Sequence, residues 1–375
     1  MKNVLVVYHY IAHYRIPIFN LLSKSEGPSY TILSGEQTDI KIKTADSSLS
    51  EIIPEDGGIR WLKIKNYWIL KYFLFQPSVL KFSYRKEYNT IIYLGNMYFL
   101  STWVGAILAK ATNKKVVFWT HGFIREEKNF QGYIRLKFYK LADELLVYGQ
   151  RAKDILVTKG FPEKRITIVY NSLDYDAQLK IRNNYFLEKK IEIFKNNELP
   201  VFSFIGRLTK QKKIDMLLDV LYKINQEEHK ANLLIIGDGD QMNFLKQKAN
   251  ELNVQDYVVF YGACYEEEKI FKLMQMTNVV VSPGEVGLTA IHALCYGVPV
   301  LTHNRFDKQM PEYEAIIEGK TGAFFEYENS SESLSEVLKV WLFKKNKKQT
   351  MNDCFEVIDN YYNPYSQKKI FDAIV

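Results

Sequence analysis

Cysteine is scarce in this chain: Cys264, Cys295 and Cys354 are the only three. They lie too far apart for a disulfide framework or a zinc site. A reducing, cytoplasmic compartment is therefore expected. Long apolar runs are also missing, and no uninterrupted stretch approaches the ~20 residues a bilayer span needs. Residues 1–20 break their apolar run with His9, His13 and Arg15, so no signal peptide is expected. Acids are missing from a third place, the thirty residues Gly57 to Lys86.

What is present is globular. The chain has 375 residues, 47% hydrophobic and 25% charged, too long for one ordinary core and suited to two domains. The net charge of +7 is uneven. Residues 1–180 hold 26 Lys and Arg against 16 Asp and Glu, and residues 181–375 hold 24 against 27. The first half therefore suits an anionic partner.

Short, β-branched-rich apolar runs alternate with helical patterns. NVLVVY (3–8), NTIIYLG (89–95), KVVFWTHG (115–122) and ELLVYG (144–149) read as buried strands. RIPIFNLLSK (15–24) and FLSTWVGAILAKA (99–111) read as helices between them. The pattern restarts with strands at VFSFIG (201–206), NLLIIG (232–237), YVVFYG (257–262), NVVVSPG (278–284) and VPVLTH (298–303). Such alternation predicts α/β architecture: two doubly wound Rossmann-like domains facing each other across a cleft. A polar zone at 182–200 marks the boundary. The predicted division is 1–185, 186–355, and a C-terminal helix at 356–375 packing back on the first domain.

Ligands of such sheets bind beyond the carboxyl ends of the strands. IGRLTKQKKIDMLL (205–218) places Arg207, Lys210, Lys212 and Lys213 after a strand and before a helix, where they can neutralise a diphosphate or form a plain solvated loop. IIGDGDQMNFL (235–245) offers Asp238 and Asp240 as a metal-holding pair. Alternatively it is a tight turn, the favoured reading. Met242 stands where a dinucleotide fingerprint needs its third glycine. His121 in FWTHG ends a strand and is placed to hydrogen-bond a sugar hydroxyl or move a proton. Asn171 and Asp174 in VYNSLDYD line a cleft or shape a turn, the turn being the safer reading.

In SPGEVGLTAIHALCYGVPV (282–300), Pro283-Gly284 stops a strand, Gly287 lets backbone approach a ligand, and Gly297 ends the helix. Glu285 sits by the helix N-terminus and His292 lies two turns on. Glu285 is also a favourable partner for the helix dipole, and His292 a candidate buried histidine.

Together GRLTKQKKIDMLL, IIGDGD, VVFYG, PGEVGLTAIHALCYGVPV and EGKTGAFF (318–325) resemble the family 4 glycosyltransferases of the GT-B fold, in order and spacing over roughly residues 200–340. VVFWTHG and VYNSLD match more loosely. The resemblance implies retaining transfer of a sugar from a nucleoside diphosphate sugar, with no cofactor and no metal expected. It implies catalytic roles for His121, Arg207, Lys212 and Glu285. Donor contacts fall on Gly206, Arg207, Lys212, Gly284, Glu285, Val286, Gly287, Leu288, Thr289 and His292. The family's Glu-x7-Glu aligns on Gly284 and His292, so Glu285 stands one residue late. Lys213 stands where the family often has glycine. YHYIAHYRIP (8–17) replaces a Gly-Gly turn, and its His13 and Arg15 are candidates for the acceptor site.

The acid-free stretch 57–86 interleaves Arg60, Lys63, Lys65, Lys71, Lys81, Arg85 and Lys86 with Trp61, Tyr67, Trp68, Tyr72, Phe73, Phe75 and Phe82. That mixture suits an anionic membrane surface, or single-stranded nucleic acid. The structural alternative is a helix-rich face with lysines reaching outward. Beside a sugar-donor site the expected partner is a glycan acceptor linked to polyprenyl diphosphate, met at the inner face of the cell membrane, and no nucleic acid. A surface polysaccharide such as O-antigen or capsule is the expected product. The alternatives are a sugar-nucleotide epimerase or phosphorylase on the same scaffold, and a non-catalytic or redirected sugar-nucleotide binding protein.

Overall fold

A computed structural model describes residues 2–24, 27–36, 43–127, 129–184 and 191–375. The chain forms two compact units, Met1–Asp174 with Tyr362–Val375, and Tyr175–Tyr361. The predicted boundary at 185/186 lies outside the described residues. The division falls eleven residues earlier, because the helix that starts at Tyr175 packs on helices of the second unit. The second return falls at 361/362 rather than 355/356.

In chain order the first unit runs β1 (Asn3–Tyr10), α1 (Ile16–Ser23), β2 (Ser29–Gly35), β3 (Trp61–Lys63), β4 (Tyr67–Ile69), β5 (Phe73–Phe75) and α2 (Pro77–Tyr84). It continues with β6 (Thr90–Leu94), α3 (Leu100–Ala111), β7 (Lys115–Thr120), α4 (Phe130–Tyr139), β8 (Glu144–Val147), α5 (Gln150–Thr158) and β9 (Ile166–Ile168). The second unit holds α6 (Tyr175–Asn184), β10 (Val201–Ile205), α7 (Asp215–Asn225), β11 (Asn232–Ile236), α8 (Met242–Glu251), β12 (Val258–Gly262) and α9 (Glu267–Met276). Then come β13 (Val279–Ser282), α10 (Leu288–Cys295), β14 (Val300–His303), β15 (Gly322–Phe325), α11 (Ser330–Phe343) and α12 (Lys347–Asn360). A last helix, α13 (Pro364–Ile374), returns to the first unit.

Unit 1 is a parallel sheet ordered β3-β2-β1-β6-β7-β8-β9. Val4 to Val7 and Val116 to Trp119 are at most 2% exposed. Helices cover both faces of such a sheet, which is why these strands read as unbroken apolar runs. Phe371 of α13 packs edge-on against Trp119, with ring centroids 5.0 Å apart. The strand order reverses between β1 and β6.

Unit 2 is a parallel sheet ordered β12-β11-β10-β13-β14-β15. This is the doubly wound 3-2-1-4-5-6 order, with its reversal between β10 and β13. The loops leaving those two strands are 206–213 and 283–287, the two motifs singled out above. α7 buries Leu217, Leu218, Leu221 and Ile224 on one helical stripe. Each contributes about 1.5–3 kcal/mol by leaving water.

Stretch 57–86 is not helix-rich. It forms β3, the antiparallel hairpin β4–β5, and only then α2. The hairpin closes through Leu70 and Lys71, both left-handed with φ of 51° and 62°, a turn that helical periodicity does not reveal. Among the described residues no helix is long and apolar enough to cross a membrane.

Candidate functional site

The loop after β10 is tied to its neighbour. Gly206 N–H donates to Ile236 O, and Leu208 N–H donates to Asp238 O at 2.9 Å. Residues 210–212 make one 3₁₀ turn, closed by Lys213 at φ 51°. That left-handed position favours glycine, which is why the family often has glycine there. Lys213 occupies it with its Nζ 4.0 Å from the centre of the Tyr327 ring, a cation–π contact that offsets part of the strain. Arg207 is exposed and makes no ion pair among the described residues. Lys212 is half-buried, donating from Nζ to Glu285 O at 2.9 Å with Glu285 Oε1 at 3.5 Å.

The loop after β13 lies against this turn. Gly284 N–H donates to Lys212 O at 3.1 Å. A Cβ on Gly284 would stand 2.3 Å from Gln211 O and 2.8 Å from Lys212 Cα. No side chain fits at 284, which is the physical reason the family's first acid has no place there. Glu285, next along, is exposed. From below, buried Gln309 accepts Val286 N–H at 2.7 Å and donates to Thr302 Oγ1 at 2.8 Å. Met310 N–H donates to Val286 O at 3.2 Å. Val286 is 1% exposed, so it offers backbone and no side chain. Gly287 differs from Gly284: a Cβ there would meet nothing nearer than Met310 Cγ at 3.7 Å. The protein's own packing does not demand its missing side chain.

α10 starts at Leu288 with Gly287 as N-cap and no side chain capping its first turn. Its first N–H groups and the positive end of its dipole are therefore open to an anion. Thr289 Oγ1 reaches Ile205 O at 3.4 Å, setting this turn against the end of β10. Arg207, Lys212, residues 284–289 and an open helix N-terminus thus meet at the switch point of one sheet. This arrangement can hold a diphosphate.

His292 is not buried against a strand. Its Nε2 lies 2.7 Å from Glu267 Oε1, on the first residue of α9. The same oxygen accepts Tyr296 O–H at 2.6 Å and Gln178 Nε2 at 3.0 Å. Burial would raise the Glu267 carboxyl, but the bond from His292 and the charge of that ring, then the bonds from Tyr296 and Gln178, outweigh it and hold its pKa at about 2. The sequence reading missed Glu267, which stands 25 residues from His292 on another helix with no spacing rule linking the two.

The remaining polar candidates shape turns. Asp238 Oδ1 accepts Gly239 N–H at 2.8 Å, and Asn171 Oδ1 accepts Ser172 N–H at 3.0 Å. Gln367 of α13 fastens the second turn, accepting Ser172 O–H at 2.6 Å and donating to Tyr170 O at 3.0 Å.

In unit 1, His121 follows β7. Its loop is shaped by Thr120, whose Oγ1 donates to Gly95 O at 2.8 Å and accepts Gly122 N–H at 3.2 Å. The His121 ring lies 4.6 Å from the Tyr148 ring. Arg15 Nη2 donates to Tyr148 O–H at 2.8 Å, and its guanidinium stands 4.8 Å from the Trp119 ring centre. Arg15 is 3% exposed, so it does not reach an acceptor by its own side chain; its charge acts on His121. His13, two residues earlier, is exposed.

Dense protein surroundings, then the Arg15 charge, lower the His121 pKa from 6.5 to about 4, although part of the ring meets solvent. The unfolded chain therefore binds one more proton than the native protein between about pH 4 and 6.5, so this histidine contributes stability that is lost as pH falls through that window. We expect the His121 ring to stay neutral at pH 6 and Arg15→Met to raise its pKa, followed by the imidazole C–H resonances in an NMR titration. A parent ring already charged at pH 6 would contradict this account.

Comparison with known proteins agrees with the two sheets. The sequence matches the family models Glycosyltransferase Family 4 over residues 50–177 and Glycosyl transferases group 1 over residues 186–353. It is 26% identical over 220 residues to an uncharacterized glycosyltransferase of Methanocaldococcus jannaschii, covering 56% of this chain and 54% of that one. The chain thus spans about half the length of this curated relative. In three dimensions it is similar to a lipopolysaccharide outer core galactosyltransferase in its apo form, with TM-score 0.71, 16% identity, and 100% and 99% of the two chains covered. It is also similar to an Anabaena protein, HepE, solved in complex with UDP, with TM-score 0.68, 16% identity and the same coverage. At these identities the structures speak for the fold. Both halves of the sequence and both sheets point one way: the chain belongs to the family 4 glycosyltransferases of the GT-B fold.

Proposed function

We propose that this protein is a retaining glycosyltransferase that moves a sugar from a nucleoside diphosphate sugar to a lipid-linked glycan of a bacterial surface polysaccharide. One observation carries the donor half: an uncapped helix N-terminus flanked by Arg207 and Lys212 at the switch point of unit 2. Cleaving the bond between sugar and diphosphate builds negative charge on the leaving group. Arg207, Lys212 and the first N–H groups of α10 offset that charge. Protein cations supply this stabilisation in our reading, so transfer runs without a metal. His121, with its neutral ring, hydrogen-bonds a sugar hydroxyl.

The donor is tested by saturation-transfer NMR against UDP-, GDP- and dTDP-sugars with a chelator present. Signals from one nucleotide's pentose and sugar are expected. Silence until manganese is added would sink the metal-free reading, and silence in both conditions would sink the donor site.

The acceptor half rests on the surface of unit 1. Tyr67, Ile69, Leu70 and Tyr72 of the hairpin are exposed, with Lys65 and Lys71 beside them. α3, which packs on β5, turns Leu100, Val104 and Ile107 outward at helical spacing. Apolar tips ringed by cations suit an anionic bilayer where a polyprenyl carrier lies. We expect the protein to float with anionic liposomes at low salt and to release when Leu70 and Tyr72 are changed to Ser. Equal flotation with neutral liposomes would remove the charge argument.

A further inference from the structure

Lys213 stands in a backbone conformation that favours glycine, on a turn whose shape the donor loops share. Its φ of 51° lies in the left-handed region, which is unfavourable for a residue that carries a side chain. The same angle orients the flat peptide between Lys212 and Lys213. That peptide's carbonyl, Lys212 O, accepts Gly284 N–H at 3.1 Å, and the Lys212 side chain reaches Glu285 O at 2.9 Å. Relaxing Lys213 out of the left-handed region would turn Lys212 O away from Gly284 and part the two loops.

The group that holds Lys213 is Tyr327, two residues beyond the end of β15. Its ring centre lies 4.0 Å from Lys213 Nζ and 4.2 Å from Lys308 Nζ. Lys308 also donates to the Tyr327 hydroxyl at 3.0 Å. Bonds from Lys308, then Lys213, keep that phenol below its ordinary pKa. Among the described residues neither lysine is paired with a carboxylate, so the tyrosine is their shared partner. Arg305, 5.6 Å from the same ring, is instead paired with Asp307 and Glu328. The ring is itself fixed in place. His303, 1% exposed, packs edge-on against it with centroids 4.8 Å apart, and Tyr327 N–H donates to Asn304 Oδ1 at 3.1 Å. Lys308 directly precedes Gln309, which holds Val286 from below. One aromatic ring thus clasps the turn that closes the 206–213 loop and is anchored on the segment that supports 283–287.

We propose that Tyr327 is a positioning residue for the donor diphosphate: by clasping Lys213 it keeps the 206–213 loop locked against 283–287, with Lys212 beside the first turn of α10. The proposal rests on the donor reading above. Tyr327 acts through Lys213 and not by touching the ligand.

The test is isothermal titration of the whole protein with UDP and with GDP, beside thermal melts. For the nucleotide the parent binds more tightly, Tyr327→Leu should weaken affinity about five- to thirty-fold, as loss of a partly desolvated cation–π clasp implies, while Tyr327→Phe, which keeps the ring, should stay within about two-fold. In a Lys213→Gly background the same Tyr327→Leu change should cost less than about three-fold, because glycine takes the left-handed angle without help. The charge at 213 is missing from both members of that pair, so the comparison reads the turn and not the loss of a cation. A packing role alone would lower the melting temperature of Tyr327→Leu and leave the affinity of the folded protein unchanged, which overturns the proposal. An equal loss of affinity in both backgrounds overturns it too. Failure of the parent protein to bind either nucleotide overturns the donor reading and this proposal with it.

Discussion

Replacing Arg207 or Lys212 by alanine should lower turnover by about two to three powers of ten with the fold intact, the loss seen when one donor to a developing anion is removed. The two replacements should differ in kind. Arg207 is exposed and free of ion pairs among the described residues, so its loss should leave the melting temperature unchanged and act on turnover. Lys212 also ties the 283–287 loop through its bond to Glu285 O. Its ion pair with Glu285 is long and partly exposed, worth at most about 1 kcal/mol. Lys212→Ala should therefore barely move stability, yet raise the donor KM as well as cutting kcat. Steady-state kinetics with a thermal melt separates the two. Parent-like turnover in both variants would remove the diphosphate site from this loop.

Gly284→Ala should be destabilising although it adds a single methyl. Its Cβ would meet Gln211 O at 2.3 Å and Lys212 Cα at 2.8 Å, both backbone atoms that cannot swing aside. Either loop must shift, at a cost of about 1–3 kcal/mol. For a unit of this size that is a fall of roughly 3–10 °C in melting temperature. Gly284→Glu, which puts the family's acid back at its aligned position, should be worse and not better. Gly287→Ala is the contrast. Nothing of the protein lies within 3.7 Å of its Cβ, so stability should hold within about 0.5 kcal/mol, while donor affinity falls because the methyl points into ligand space. Equal melting temperatures for the 284 and 287 variants would show that the loops are not locked together as described.

Much of this protein is legible in its sequence. NVLVVY, KVVFWT and NLLII announce buried strands, because a parallel strand covered on both faces must be apolar at every position. Their alternation with helices suffices for two doubly wound domains, and their ends single out His121 and the loop that carries Arg207 and Lys212, because ligands of such sheets sit at strand termini. The short or polar strands do not announce themselves. SYTILSG and ITI carry too few apolar residues for a periodic signal, and only pairing with β1 and β8 makes them strands. The hairpin in 57–86 hides for the same reason.

The tertiary structure decided what those residues do. Gly284 and Glu285 are neighbours in sequence, yet one is locked against backbone and the other open to solvent, a difference made by a loop seventy residues earlier. Arg15 looked like a contact residue and is buried beneath Trp119 and Tyr148. Glu267 carried no signal at all until α9 brought it within 2.7 Å of His292. Chain order and polarity are local and survive in one dimension. Clash, burial and the pairing of distant charges arise only when elements pack, and these set which polar groups remain free for a ligand.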